Sequence, residues 1–205
     1  MRISKENNFE RELPCGYKLA LNINAKDVKL GIAFTVISLI IFAITLTVAI
    51  MPLYLSDKTI TYIPENSLLL IWIIIPAMLG YIVLHEIVHG IAYKTMTGEK
   101  LTFGISWSCA FCGVPKIFTY RKTAIIAVVS PFAVFSLILL IAMIVLFFVN
   151  IVYYLMIALI FALHLSGCCG DLYVLFLLTV KFKNKKTLVR DTGPEQFFYV
   201  PDKDN

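Results

Sequence analysis

The sequence predicts an all-α membrane protein with four transmembrane helices, and three observations lead there. The 205-residue chain is 60% hydrophobic and only 15% charged, with a mean hydropathy of +0.86, outside the range of a soluble globular domain. No charge occurs from Leu30 to Ser56. Between Thr123 and Val180 the sole formally charged side chain is Asp171, and a single helix over that run would extend ~87 Å across a hydrocarbon core of about 30 Å. The run must turn back on itself.

Residues 1–27 contain Arg2, Lys5, Glu6, Glu10, Arg11, Glu12, Lys18, Lys26 and Asp27 and no compact apolar stretch, so they read as a cytoplasmic N-terminal segment rather than a cleaved signal peptide. A membrane domain is expected over 28–182, with spans at 28–54, 67–95, 123–149 and 151–180. Pro76 is a kink point in the second span, and Asn150 is the polar break between the last two. The loop at 96–122 holds two short apolar and aromatic pieces, Leu101–Trp107 and Val114–Tyr120, around Ser-Cys-Ala-Phe-Cys-Gly. It reads as a short β-hairpin-like element, either a substrate-binding edge strand or a simple amphipathic connector. Residues 183–205 form a polar C-terminal tail.

Net charge is +5, but its distribution argues against a nucleic-acid partner. Lys and Arg number six up to Lys29, one in loop 55–66, five from Lys94 through Lys122, none at the Asn150 turn and six after Val180. By the positive-inside rule, both termini and the 96–122 loop face the cytoplasm of a multi-pass cell-membrane protein, with the lipid bilayer as partner. The five cysteines, Cys15, Cys109, Cys112, Cys168 and Cys169, are an odd number mostly on the reducing side, so a disulfide framework is not expected. The lone CxxC at Cys109 and Cys112 is weak evidence for a second metal site.

The chemistry is concentrated at Leu-His-Glu-Ile-Val-His-Gly, residues 84–90, an HExxH motif inside the second span. On a helix, His85 and His89 project from one face and can share a tetrahedral Zn²⁺, while Glu86 lies beside it and can handle protons. An acidic side chain at mid-bilayer costs about 2.5–3.5 kcal/mol on insertion scales, so ionisable residues at this depth point to function. Catalytic zinc usually takes three protein ligands. Counting back from the cytoplasmic ends of the spans puts His85 at ~15 Å, His89 at ~9 Å and Asp171 at ~14 Å depth, so Asp171 is the favoured third ligand. His164 is the rival. In an unbroken helix it would stand ~10.5 Å from Asp171, too far for both to bind one ion, which leaves it as an outlying or substrate-facing group unless Ser166–Gly170 unwinds.

The combination of HEIVHG, Ser130-Pro131-Phe132, His-Leu-Ser-Gly-Cys-Cys-Gly-Asp ending at Asp171, and Val-Arg-Asp-Thr-Gly at 189–193 resembles the small zincin membrane peptidases over about residues 70–200. That family is similar in turn to the site-2 intramembrane metalloproteases. The resemblance implies zinc ligands at His85, His89 and Asp171 with Glu86 as the catalytic carboxylate. Gly170 and Leu172 flank Asp171, where site-2 proteases usually carry an Asn-Pro-Asp-Gly type motif.

The expectation is therefore a zinc metalloprotease that hydrolyses membrane-anchored proteins near the cytoplasmic face. The competing expectation is a catalytically inactive zinc-binding membrane protein that scaffolds partners; the presence of Glu86 favours the enzyme.

Overall fold

The computed structural model describes residues 8–56, 67–105 and 110–202, with side chains in the second helix from Trp72 onward. The loop expected to face outward, including Lys58, and the hairpin tip with Trp107 and Cys109 lie outside the described residues. In chain order the elements are β1 (Phe9–Glu10), β2 (Tyr17–Asn24), α1 (Val28–Leu55), α2 (Ser67–Thr97), β3 (Thr102–Ile105), β4 (Ala110–Gly113), β5 (Phe118–Tyr120), α3 (Arg121–Val149), α4 (Ile151–Gly167), α5 (Cys169–Phe176), a π-helical turn Leu177–Lys181, β6 (Leu188–Asp191) and β7 (Glu195–Pro201). The chain divides into two compact units, one drawn from 1–32, 83–131 and 171–205, the other from 33–82 and 132–170.

The helices have local causes. Asp27 Oδ1 accepts the backbone N–H of Lys29 at 2.9 Å and of Leu30 at 3.3 Å, an N-cap that starts α1. Asn150 does the same for α4, accepting from Val152 at 2.9 Å and Tyr153 at 3.2 Å. Among the described residues, three helices, Val28–Leu55, Trp72–Thr97 and Arg121–Val149, are long and apolar enough to cross a membrane. The bent pair Ile151–Gly167 and Cys169–Lys181 makes a fourth if it is one span. Their large side chains point outward: Leu39, Ile44 and Val48 are 62%, 61% and 62% exposed, a surface that suits hydrocarbon and not water.

Two expectations need correction. The fold is mostly helical but not all-α, because the unit containing HExxH includes a five-stranded sheet in the order β1-β5-β6-β7-β2, with every neighbour antiparallel. The N-terminal segment and the C-terminal tail, read as flanking pieces, supply four of its strands; β2 pairs with β7 from Tyr17↔Pro201 to Asn24↔Glu195. Register explains it, since Thr119, Val189 and Phe198 stand opposite one another on adjacent strands and are buried together on one face. Phe198 and Val189 pack with Ala124, Val128, Leu178 and Phe182, so the sheet has its own apolar core.

The second correction concerns the hairpin. β3 pairs with β4 in the register Thr102↔Gly113 to Ile105↔Ala110, so its returning strand is Ala-Phe-Cys-Gly, the piece read as a spacer. Part of the piece read as its partner, Phe118–Tyr120, joins the larger sheet instead. The fourth span is likewise interrupted: α4 ends at Cys168, whose N–H returns to His164 O, and Asp171 falls in the first turn of α5.

The other unit is a bundle of helix segments. Ala49, Met143, Tyr154 and Ala158 form its buried apolar cluster, and the Tyr154 hydroxyl donates to the Ala49 carbonyl. Small residues at such contacts let membrane helices approach closely.

Candidate metal centre

α2 carries the motif with His85 and His89 one turn apart, both buried, their ring centroids 4.9 Å apart. α5 brings Asp171 to them. Its Oδ2 lies 3.1 Å from His85 Nε2 and 3.3 Å from His89 Nε2, and one donor atom from each of the three residues falls within 4.8 Å of the others. Two imidazole nitrogens and a carboxylate oxygen converging on one point form a donor set suited to zinc with an open position.

The tautomer of His89 follows from its second contact. Nδ1 sits 2.8 Å from the Ala127 carbonyl oxygen in a buried position. A carbonyl can only accept, so Nδ1 bears a proton and Nε2 is left as the atom that a metal between His89 and Asp171 would take. A backbone carbonyl behind a ligand imidazole is a common support for a metal centre.

Glu86 is half-buried, with the backbone of Cys112 in β4 near its carboxylate. β4 can come this close because of Gly90, the last residue of HEIVHG. A Cβ there would meet Phe103 Cζ at 2.7 Å, Leu101 Cδ1 at 3.1 Å and Cys112 Sγ at 3.3 Å. Gly113 is tighter still, since its Cβ would collide with backbone at Gly193 N, 2.5 Å, and Thr192 C, 2.8 Å. The hairpin is thus seated between the HExxH helix and the β6–β7 turn.

That turn is organised by Asp191, 4% exposed. Its carboxylate accepts from the Tyr93 hydroxyl at 2.8 Å and the Gly193 N–H at 2.8 Å, and its carbonyl accepts from Val114 N–H at 2.9 Å. Burial pushes the Asp191 carboxyl up to about 6, against the two hydrogen bonds that pull it down. Burial also pushes the Cys112 thiol up to about 12, with the charges of Asp191 and Glu86 adding to it. Cys112 is therefore an inert packing thiol.

His164, the rival ligand of the sequence reading, has partners of its own. It belongs to the other unit, fully buried, with Nδ1 2.5 Å from the Tyr81 hydroxyl and Nε2 3.0 Å from Ser136 Oγ, ringed by Phe132, Phe135 and Phe161. Each nitrogen faces a hydroxyl, and the Cys168 thiol also lies 3.7 Å from Nδ1.

Sequence reasoning passed over Ala127, Tyr93, Asp191 and the Cys112 backbone. A proline within an apolar helix was the available signal for Ala127, and the Asp-Thr-Gly turn sequence at 191–193 was the signal for Asp191.

The model of a family described as "Putative zincin peptidase" matches residues 78–186, more than half of the chain, from before HExxH to beyond Asp171. No curated protein and no solved structure matches. A zincin family implies zinc, and the chain belongs to this family of zincin peptidases.

Proposed function

We propose that this protein is a membrane-embedded zinc metalloprotease of the site-2 type, cleaving peptide bonds of membrane-anchored proteins near the cytoplasmic face. The observation that carries the reading is the convergence of His85, His89 and Asp171 within 3.1–3.3 Å contacts beside Glu86, on helices apolar enough to cross a membrane. The alternation of loop charge supports cytoplasmic termini.

His85, His89 and Asp171 would hold the ion. Zinc bound there lowers the pKa of a water toward about 7 and polarises a scissile carbonyl. Glu86 takes the proton of the attacking water and passes it to the leaving amine as the peptide bond breaks. A substrate must present extended backbone, because the carbonyls of a helix are already occupied, and the β3–β4 hairpin beside Glu86 offers strand-like backbone for it.

Replacing Glu86 with Gln tests the assignment. Cleavage of a membrane-anchored reporter should fall by at least about 10²–10⁴-fold while zinc content stays at the wild-type level. Undiminished cleavage by the variant would refute the role of Glu86. Zinc binding with no cleavage by the wild type would favour the scaffold reading.

A further inference from the structure

The Ser-Pro-Phe sequence places a proline four residues after the carbonyl that supports His89. In a regular helix the Ala127 C=O would accept the N–H of residue 131. Residue 131 is Pro, inside α3, and has no N–H; its ring also crowds the carbonyl four residues back and turns it out of line. That released carbonyl is the one 2.8 Å from His89 Nδ1. The neighbouring Ser130 hydroxyl does not compete for it, because it donates to Ile126 O at 2.5 Å. Pro131 is itself fully buried, so the residue is packed inside the protein and its backbone effect is directed at one acceptor.

We infer that Pro131 is a positioning residue of the metal centre: by leaving the Ala127 carbonyl without a helical donor, it fixes His89 as the Nδ1–H tautomer with Nε2 turned to the metal. This rests on the proposed zinc site and adds to it a residue with no donor atom of its own. An N–H at 131 would share the Ala127 oxygen with His89. Because a carbonyl has two lone pairs, the loss is partial and lies at the lower end of the 10–100-fold range for supports of metal ligands.

The test uses the full chain in detergent or nanodiscs, with zinc as the probe and a competing chelator to read affinity. Pro131→Ala and Pro131→Val both restore the N–H, and Val also keeps most of the buried volume. Both variants should weaken zinc binding about tenfold, and the ¹⁵N–¹H signal of His89 Nδ1 in the zinc-loaded protein should shift as its bond to the Ala127 carbonyl becomes shared. Pro76→Ala, a helix-interior proline of the other unit, should leave zinc affinity unchanged. Wild-type affinity in both Pro131 variants would overturn the inference, as would loss in the Ala variant alone, which would indicate a cavity effect. An equal loss in Pro76→Ala would overturn it too. A wild-type protein that binds no zinc would defeat the metal reading itself, and this inference with it.

Discussion

Two buried histidine environments in the same chain have opposite designs. His89 spends one nitrogen on a backbone carbonyl and turns the other toward a carboxylate shared with His85. His164 places a hydroxyl at each nitrogen, Tyr81 on one side and Ser136 on the other, with aromatic rings around it. The first arrangement leaves Nε2 for a cation. The second engages both imidazole nitrogens and ties helix segments of one unit together. A buried histidine in an apolar helix is therefore not sufficient evidence of a metal ligand, and the partners of its two nitrogens are what separate the two cases.

Removing Asp171 is the strongest way to break this comparison. Asp171→Ala should lower zinc affinity by more than the roughly 100-fold that loss of a supporting group costs, read by metal analysis after chelator competition. His164→Ala should leave zinc stoichiometry at the wild-type value. Its effect should appear in unfolding instead, at about 1–2 kcal/mol for two hydroxyls left without their partner. Zinc loss in the His164 variant would put both histidines in one class and erase the distinction.

How far the sequence could be read differs between the same regions. The HExxH spacing is legible because i, i+4 residues share a helix face, and counting residues from the span ends was enough to put Asp171 at the level of His85. The length of the apolar runs gives the helices. The sheet was hidden for physical reasons: β1 has two residues and β5 three, too short for a period-2 pattern, and their partners are distant in sequence, β5 for β1 and β6 for β5. The charges of 1–27 masked β2, where Lys18 is paired with Asp202 at 2.6 Å on the side away from the core. Likewise, the break at Cys168 depends on tertiary context that two glycines and two cysteines only permit.

The smallest expected effect concerns Asp191, which couples the β6–β7 turn to the HExxH helix. Burial holds its carboxyl at about 6 in the folded protein, above the ordinary aspartate value of 3.8, so the native state binds the proton more tightly than the unfolded chain. Below about pH 4 both states are protonated and the site costs nothing; as pH rises through about 6 the buried group ionises and stability is lost. In metal-free protein, the melting temperature of Asp191→Asn relative to wild type should therefore rise between about pH 4 and pH 7. A flat difference across that window would remove Asp191 as a buried titrating group.

The most direct test of the central claim is X-ray absorption at the zinc edge of the purified wild-type protein. Two imidazole nitrogens and oxygen donors at about 2.0–2.2 Å are the predicted first shell. Sulfur scattering at about 2.3 Å, or protein that retains no zinc, would contradict a centre made by His85, His89 and Asp171.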